Sequence, residues 1–243
     1  MTNTKDTTQT KAASAGAYGR NDLLRGLAIL PLVLGVALVA LGVPRLVAAV
    51  TMLPAEPVVV TLQQGGKVGN DDLAAFEHRW TRARAFVSWG RLDSDLALAK
   101  LARAERLTSP SDRRALTEEA IALLREALSR TPSNSFAWAR LAYALALKDG
   151  PTEEGAEAWR MSVLTAPADR RLTLWRAEFG IALLPRLSSG STDLLNRQIR
   201  FAWRFGGKDL VRYAKASGNV AIIRAALLDQ PDALKRFEKA LQN

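Results

Sequence analysis

Apolar residues follow different patterns in successive parts of this chain, and each pattern predicts a different structure. Residues 1–22 are rich in Thr, Ala and Ser and show no apolar periodicity, which predicts a disordered tail. Residues 23–50 are almost entirely apolar. Beyond Asn70 apolar residues recur every three or four positions, the period of helices with one buried face. These patterns predict an all-α chain, with an N-terminal apolar helix followed by a helical domain over residues 71–243.

The apolar segment has the length and flanking charges of a membrane anchor. Its 18 residues from 26 to 43 carry no charge and span about 27 Å as a helix, close to the thickness of a hydrocarbon core. Four basic residues precede the run, whereas only Arg45 follows it closely. The positive-inside rule then predicts a cytoplasmic tail and an anchor over residues 23–50, with the domain on the opposite side. The alternative is a cleaved signal peptide, with a fair cleavage site at residues 47–49.

Residues 51–70 differ in composition from both neighbours. Pro54 and Pro57 bracket the start of an extended segment, and residues 58–62 read Val-Val-Val-Thr-Leu, which has the composition of a strand. Three glycines between Gln63 and Asn70 predict a turn. Residues 51–70 are therefore interpreted as a linker that contains a possible short strand, and a strand of this kind would need another strand to pair with. The alternative is a plain linker between the membrane and the domain.

An internal repeat is clearest over residues 115–167. A series of small, large and small residues before a helix-ending proline occurs twice: Ala120, Leu124, Ala127, Pro132, and then Gly155, Trp159, Ser162, Pro167. Between them lies the order aromatic, large, small, large: Trp138, Leu141, Ala142, Leu145. The spacing is that of the two helices of a tetratricopeptide repeat (TPR), in which small residues let neighbouring helices approach closely. It predicts a TPR-like helical repeat, or α-solenoid; an ordinary antiparallel bundle is the alternative.

Three stretches carry a resemblance to a known group of proteins: residues 135–142, 161–167 and 198–203. With them, the chain resembles the small membrane-anchored TPR-like accessory proteins of bacterial exopolysaccharide biosynthesis clusters, over roughly residues 60–240. The resemblance implies a non-enzymatic role in polysaccharide synthesis or export. It further implies a bacterial inner membrane, with the helical domain in the periplasm. The group offers no catalytic residues to carry over.

Charge changes this picture in the last third of the chain. The net charge is +10; residues 71–169 hold 14 Lys and Arg against 15 Asp and Glu, but residues 170–243 hold 14 against 6. Excess basic residues favour an anionic partner: an acidic glycan, a lipid head group or an acidic protein. The alternative explanation of the excess is codon bias: a GC-rich genome favours Arg codons, and the additional arginines are then solvated surface residues without a function in binding. Nucleic acid is not expected outside the cytoplasm.

One constellation in that third is a candidate partner-binding site. Arg197, Arg200 and Arg204 fall on one helical face, and aromatic residues, Trp203 among them, lie between. Such a stripe suits pairing with carboxylates or phosphates and stacking on sugar rings. The alternative is that the aromatics belong to the core and the arginines are merely solvated.

The chain offers little for catalysis. It has no cysteine and a single histidine, His78, so we expect no metal site and no catalytic residues. Residues 65–67 and 206–208 both read Gly-Gly-Lys but lack the spacing of a phosphate-binding loop, and they are interpreted as turns. We therefore expect no cofactor and no enzyme. The sequence leaves three hypotheses: a scaffold for an envelope assembly, a glycan- or lipid-binding module, and an assembly factor for another membrane complex.

Overall fold

A computed structural model describes the backbone of residues 9–242 and the side chains of residues 31–242. Within these limits the chain is all-helical, without a strand. The helices are α1 (Gln9–Met52), α2 (Glu56–Gln63), α3 (Asn70–Arg84), α4 (Gly90–Ala104), α5 (Pro110–Arg130), α6 (Ser135–Asp149), α7 (Glu153–Thr165), α8 (Arg170–Ala182), α9 (Ser189–Ser217), α10 (Val220–Ala226) and α11 (Pro231–Gln242). Short 3-10 turns occupy Leu53–Ala55 and Leu184–Arg186.

Helix α1 contains the predicted apolar segment. In the described part of the chain it includes one stretch that is long and apolar enough to cross a membrane. The predicted disordered tail is wrong from Gln9 onward, because α1 already begins there. The tail contains several alanines, which have the highest helix propensity, and they continue the helix N-terminally. Residues 1–8 of the predicted tail lie outside the described residues.

The predicted extended segment over residues 58–62 is also wrong, because those residues lie in α2. Only the 3-10 turn Leu53–Ala55 separates α2 from α1. Ala48, Ala55 and Val59 are buried on one helical stripe and share an apolar cluster with α3. Packing of this stripe outweighs the strand preference of three successive valines, a preference that depends on context. The predicted linker is likewise helical up to Gln63, and the predicted turn follows, with Gly65 at φ +72°.

The helices after α3 form three successive pairs. Helix α4 packs on α5, α6 on α7, and α8 on α9. A turn of a few residues joins the two helices of each pair, so they run antiparallel. Side chains of Asn134 and Thr152 accept hydrogen bonds from the backbone N–H of Ala137 and Gly155, which caps α6 and α7. The prediction that Pro132 ends a helix is confirmed, because α5 stops at Arg130.

Two apolar cores lie on different faces of α4. Leu92, Leu96 and Ala99 join the core that α1, α2 and α3 build. Ala97 and Leu101 instead join the larger core, which extends from α4 to α11. Helix α4 is therefore the element that connects α1, α2 and α3 to the helices that follow.

The start of α4 also buries two carboxylates. Asp93 lies 2.6 Å from Arg84 Nε of α3 and 2.6 Å from Arg130 Nη1 of α5. Asp95 accepts a hydrogen bond of 2.9 Å from Arg140 Nη1 of α6. Burial raises the pKa of Asp93, while Arg84 and Arg130 oppose that shift. Burial likewise lowers the pKa of Arg140, and Asp95 opposes the shift. These pairs hold four consecutive helices together.

A buried arginine joins the second pair of helices to the third. Arg176 of α8 donates hydrogen bonds to the carbonyl oxygens of Ser162 and Ala166 at the C-terminal end of α7. Its own carbonyl accepts a bond of 2.9 Å from Trp159 Nε1. The guanidinium thus binds carbonyl oxygens at the end of α7, where a helix has no further backbone N–H groups to offer its last carbonyls. Burial lowers the pKa of Arg176 to about 10, so it stays charged at neutral pH.

We predict that Ala142→Leu destabilises the protein by about 1–3 kcal/mol, because a larger side chain overpacks a filled core. Ala142 is fully buried in α6, and its carbonyl oxygen lies 3.7 Å from where a β-carbon of Gly155 in α7 would stand. Urea denaturation measures the change. Ala75→Leu on the exposed face of α3 is the matched control and should be nearly neutral. Equal stability of both variants would show that α6 and α7 do not approach closely there.

We predict that Asp95→Ala costs about 3–5 kcal/mol, because it leaves the guanidinium of Arg140 buried without its carboxylate. Glu154→Ala is the control. Its ion pair with Arg125 is exposed on both sides, so its loss should cost less than about 1 kcal/mol. Thermal unfolding of both variants tests this. Comparable losses would mean that the buried pair adds no more to stability than a surface pair.

Candidate functional site

Helix α9 carries a continuous basic stripe. Six basic residues recur along it at intervals of three or four: Arg197, Arg200, Arg204, Lys208, Arg212 and Lys215. At 1.5 Å per residue the stripe follows about 27 Å of helix, with a kink at Gly206 along the way. The predicted turn at residues 206–208 is a kink within α9: Gly206 has a non-helical backbone (φ −143°, ψ 40°) and joins two helical segments. Basic residues on both sides of the kink nevertheless line one groove.

Helix α11 forms the second wall of the site. It is strongly amphipathic and buries Ala233 and Phe237. The ring of Trp203 in α9 meets Phe237 edge-on, with centroids 5.6 Å apart. Because this contact fixes α11 beside α9, Arg236 and Ala240 face the same groove as the basic stripe.

The groove between the two helices has a volume of about 1270 Å³. Its apolar lining comes from Phe201, Trp203, Val211, Ala233 and Ala240. Seven basic side chains complete the lining, the six of the α9 stripe and Arg236, and no acidic residue is among the lining residues. The groove therefore has an apolar floor and a positively charged rim, and this arrangement concentrates positive electrostatic potential in a concave site.

Most of the basic side chains of the groove are not engaged in hydrogen bonds or ion pairs with the described residues, although the guanidinium of Arg204 lies 5.4 Å from the ring centroid of Phe205. Arg197, Arg204, Lys208, Lys215 and Arg236 make no hydrogen bond or ion pair with any residue that the structure describes. Their charges are therefore available to an incoming anion without first breaking an internal ion pair. Five like charges along one groove repel one another in the free protein, and an anionic ligand would relieve that repulsion.

Two of the seven are engaged. Arg200 Nη1 lies 2.8 Å from Asp229 Oδ2 and donates a 3.2 Å hydrogen bond to the carbonyl of Ala226. These contacts hold α9 against the end of α10. Arg212 pairs with Asp209 one turn earlier in the same helix, at 2.9 Å. Arg200 thus has a structural role besides its place in the groove.

The predicted site residues lie together in the groove, but they differ in their surroundings. Trp203 was expected to be available for stacking; it is half-buried between α9 and α11 and belongs to the floor. A β-carbon on Gly207 would stand 3.0 Å from its ring, so the backbone of α9 also covers it. Phe205 is exposed, and the guanidinium of Arg170 lies 4.4 Å from its ring centroid.

Sequence analysis missed four basic members of the groove. Lys208, Arg212 and Lys215 continue the same helical spacing, a signal that was hidden by interpreting residues 206–208 as a turn. Arg236 belongs to a different helix. The amphipathic pattern of α11 predicts a buried face, but not which helix that face packs against.

No protein-family model matches the chain. A comparison with curated proteins also finds no match.

We predict that Arg200→Gln lowers stability by about 1 kcal/mol, because it removes the link between α9 and the Ala226 carbonyl and Asp229. Arg197→Gln removes a solvated charge of the same groove and should change stability by less than about 0.5 kcal/mol. Chemical denaturation of the two variants is the measurement. The reverse order would contradict the structural role of Arg200.

Proposed function

We propose that this chain is a non-catalytic, membrane-anchored scaffold that holds an anionic protein partner in the groove between α9 and α11. The observation that carries the proposal is the lining of that groove: seven basic side chains, no acidic one, and five cations without a hydrogen bond or ion pair among the described residues. Charges concentrated in this way attract an oppositely charged partner and speed its association.

The exposed side chains of α1 support the membrane anchor. Eleven large apolar side chains between residues 32 and 50 are 38–67% exposed: Leu32, Val33, Leu34, Val36, Leu38, Val39, Leu41, Val43, Leu46, Val47 and Val50. Exposing that much contiguous apolar surface to water is unfavourable, and a bilayer would cover it. By the positive-inside rule the helical domain then lies on the periplasmic side of a bacterial inner membrane.

The paired helices support a TPR-like repeat. The pairs α4–α5, α6–α7 and α8–α9 follow one another, and each also contacts the next. Ala127 and Ala142, the small residues of the predicted series, are fully buried. Helices that approach this closely stack into the curved arrays that repeat proteins use as binding surfaces. This architecture agrees with a role in which the chain joins other proteins.

The lining favours a protein partner over a sugar. Gln230 is the one neutral polar side chain among the lining residues, whereas the floor is built from aromatic and aliphatic groups. A helix with an apolar face and acidic flanks would satisfy both parts of the groove. Glycan hydroxyl groups could accept hydrogen bonds from the basic rim, but among the lining side chains only Gln230 could accept a hydrogen bond from them.

We place this scaffold in the synthesis or export of exopolysaccharide. The resemblance of residues 135–142, 161–167 and 198–203 to membrane-anchored accessory proteins of that process supports the assignment. In this role the anchor would confine the domain to the membrane surface. The groove would then recruit an acidic segment of another component of the assembly.

Charge removal from the groove tests the proposed function. The combined change Arg197→Gln, Arg204→Gln and Lys208→Gln removes three unpaired charges and leaves the structural Arg200 in place. The probe is a synthetic amphipathic helical peptide of Leu and Glu, titrated against the full chain in detergent. We expect at least tenfold weaker binding by the variant, and weaker wild-type binding as salt rises.

The matched control removes the same charge elsewhere, at Lys67, Arg82 and Arg186, three exposed residues outside the groove. It should bind the peptide within twofold of the wild type. An equal loss of peptide affinity in both variants would show that binding depends on the net charge of the protein and not on the groove. If polyglucuronate binds in the groove and the peptide does not, the protein is a glycan-binding module and the scaffold proposal is wrong.

A further inference from the structure

The turn between α3 and α4, residues 85–89, presents two aromatic side chains to solvent. Phe86 is 42% exposed and Trp89 is 37% exposed. Val87, between them, is buried in the apolar core that α1, α2 and α3 share. The turn is therefore fixed at its centre to the anchor side of the protein, while its aromatic groups point outward.

The path of the chain brings this turn back toward the membrane anchor. From Pro31 to Gln63 the chain is one nearly continuous helical stretch, interrupted only by the 3-10 turn. Residues 64–69 then reverse its direction, and α3 returns along the same stretch. Contacts of α3 with both α2 and α1 agree with this antiparallel path.

Helix length locates the end of α3 along α1. Helix α3 has 15 residues, so it rises about 22 Å and returns past a similar number of residues of the opposing helix. Counted back from Gln63, that number reaches Ala48. Ala48 is the first buried residue of α1 after Pro31 among the described side chains. The turn at residues 85–89 therefore lies at about the level of Ala48 or nearer to the membrane.

That level corresponds to the head groups of a bilayer. The uncharged run of α1 ends at Val43, and Arg45 follows it. Ala48 is five residues beyond Val43, about 7 Å of helix. The polar layer on each side of a bilayer is of the same thickness, about 5–7 Å. Aromatic side chains, Trp above all, favour this layer because their rings are apolar and the indole N–H is polar.

We infer that Phe86 and Trp89 insert into the interfacial layer of the bilayer and form a second, reversible contact between the helical domain and lipid. The inference rests on the proposed membrane anchor and is separate from the groove. Arg82, exposed and without an ion pair among the described residues, lies on the last turn of α3, where it would meet lipid phosphates. Two points of attachment hold the domain in one orientation relative to the membrane.

Site-specific fluorescence tests this contact, and the absence of cysteine from the chain makes the labelling specific. Ser88→Cys puts an environment-sensitive fluorophore in the turn and leaves both aromatics intact. Leu34→Cys labels the anchor. Thr108→Cys is the control, because it lies in the turn after α4, a 15-residue helix away from residues 85–89. The full chain is reconstituted in vesicles that contain lipids spin-labelled near the head group or deep in the acyl chain.

We expect the label at position 88 to be quenched most by the shallow spin label, the label at position 34 by the deep one, and the label at position 108 by neither. Adding Phe86→Ser and Trp89→Ser to the Ser88→Cys chain should reduce its quenching at least twofold. An unchanged melting temperature of that variant would show that it is folded.

The outcomes separate the anchor from the turn. Quenching at position 34 without quenching at position 88 overturns this inference and leaves the anchor intact. No quenching at position 34 overturns the anchor and the inference together. If quenching at position 88 persists after both aromatic residues are replaced, the anchor alone holds the turn near the lipid. That result would contradict a contact by Phe86 and Trp89.

Discussion

The burial of two carboxylates at the start of α4 is the constraint on which the rest of the structure depends. A carboxylate in a protein interior is tolerated when a cation lies close to it. Asp93 and Asp95 therefore require guanidinium groups, which come from α3, α5 and α6. The same helix contributes to both apolar cores. If α4 shifted, the cores would separate and two buried charges would lose their partners.

Arginine has two distinct uses in this protein, which explains why composition alone is a poor guide to its function. Arg140 and Arg176 are buried and compensate carboxylate or carbonyl oxygens between neighbouring helices. Arg197 and Arg204 lie in the groove without ion pairs. A net charge of +10 does not distinguish these uses. The two uses are distinguished only by the positions of acidic groups and carbonyl oxygens around each guanidinium.

Local signals made part of the fold predictable. Pro132 and Pro167 indicated where α5 and α7 end, because a proline acts on the helix within a few residues. The prediction of a strand at residues 58–62 was wrong because the helical state of this segment depends on α3, which packs on Val59. Likewise the spacing along α9 indicated Arg197, Arg200 and Arg204. The packing of α11 against α9 and the Arg200–Asp229 ion pair depend on contacts between segments that are distant in sequence. A local sequence pattern does not predict such contacts.

For the proposed scaffold, the near-continuous helix from α1 through α2 determines how the domain would meet a partner. A domain on a flexible tether of n residues explores a volume whose radius grows with the square root of n. Here the helical connection replaces such a tether. With α1 in a bilayer, the groove stays at one height above the membrane and moves only by lateral diffusion. Encounter then becomes a two-dimensional search, which favours partners confined to the same membrane over soluble ones.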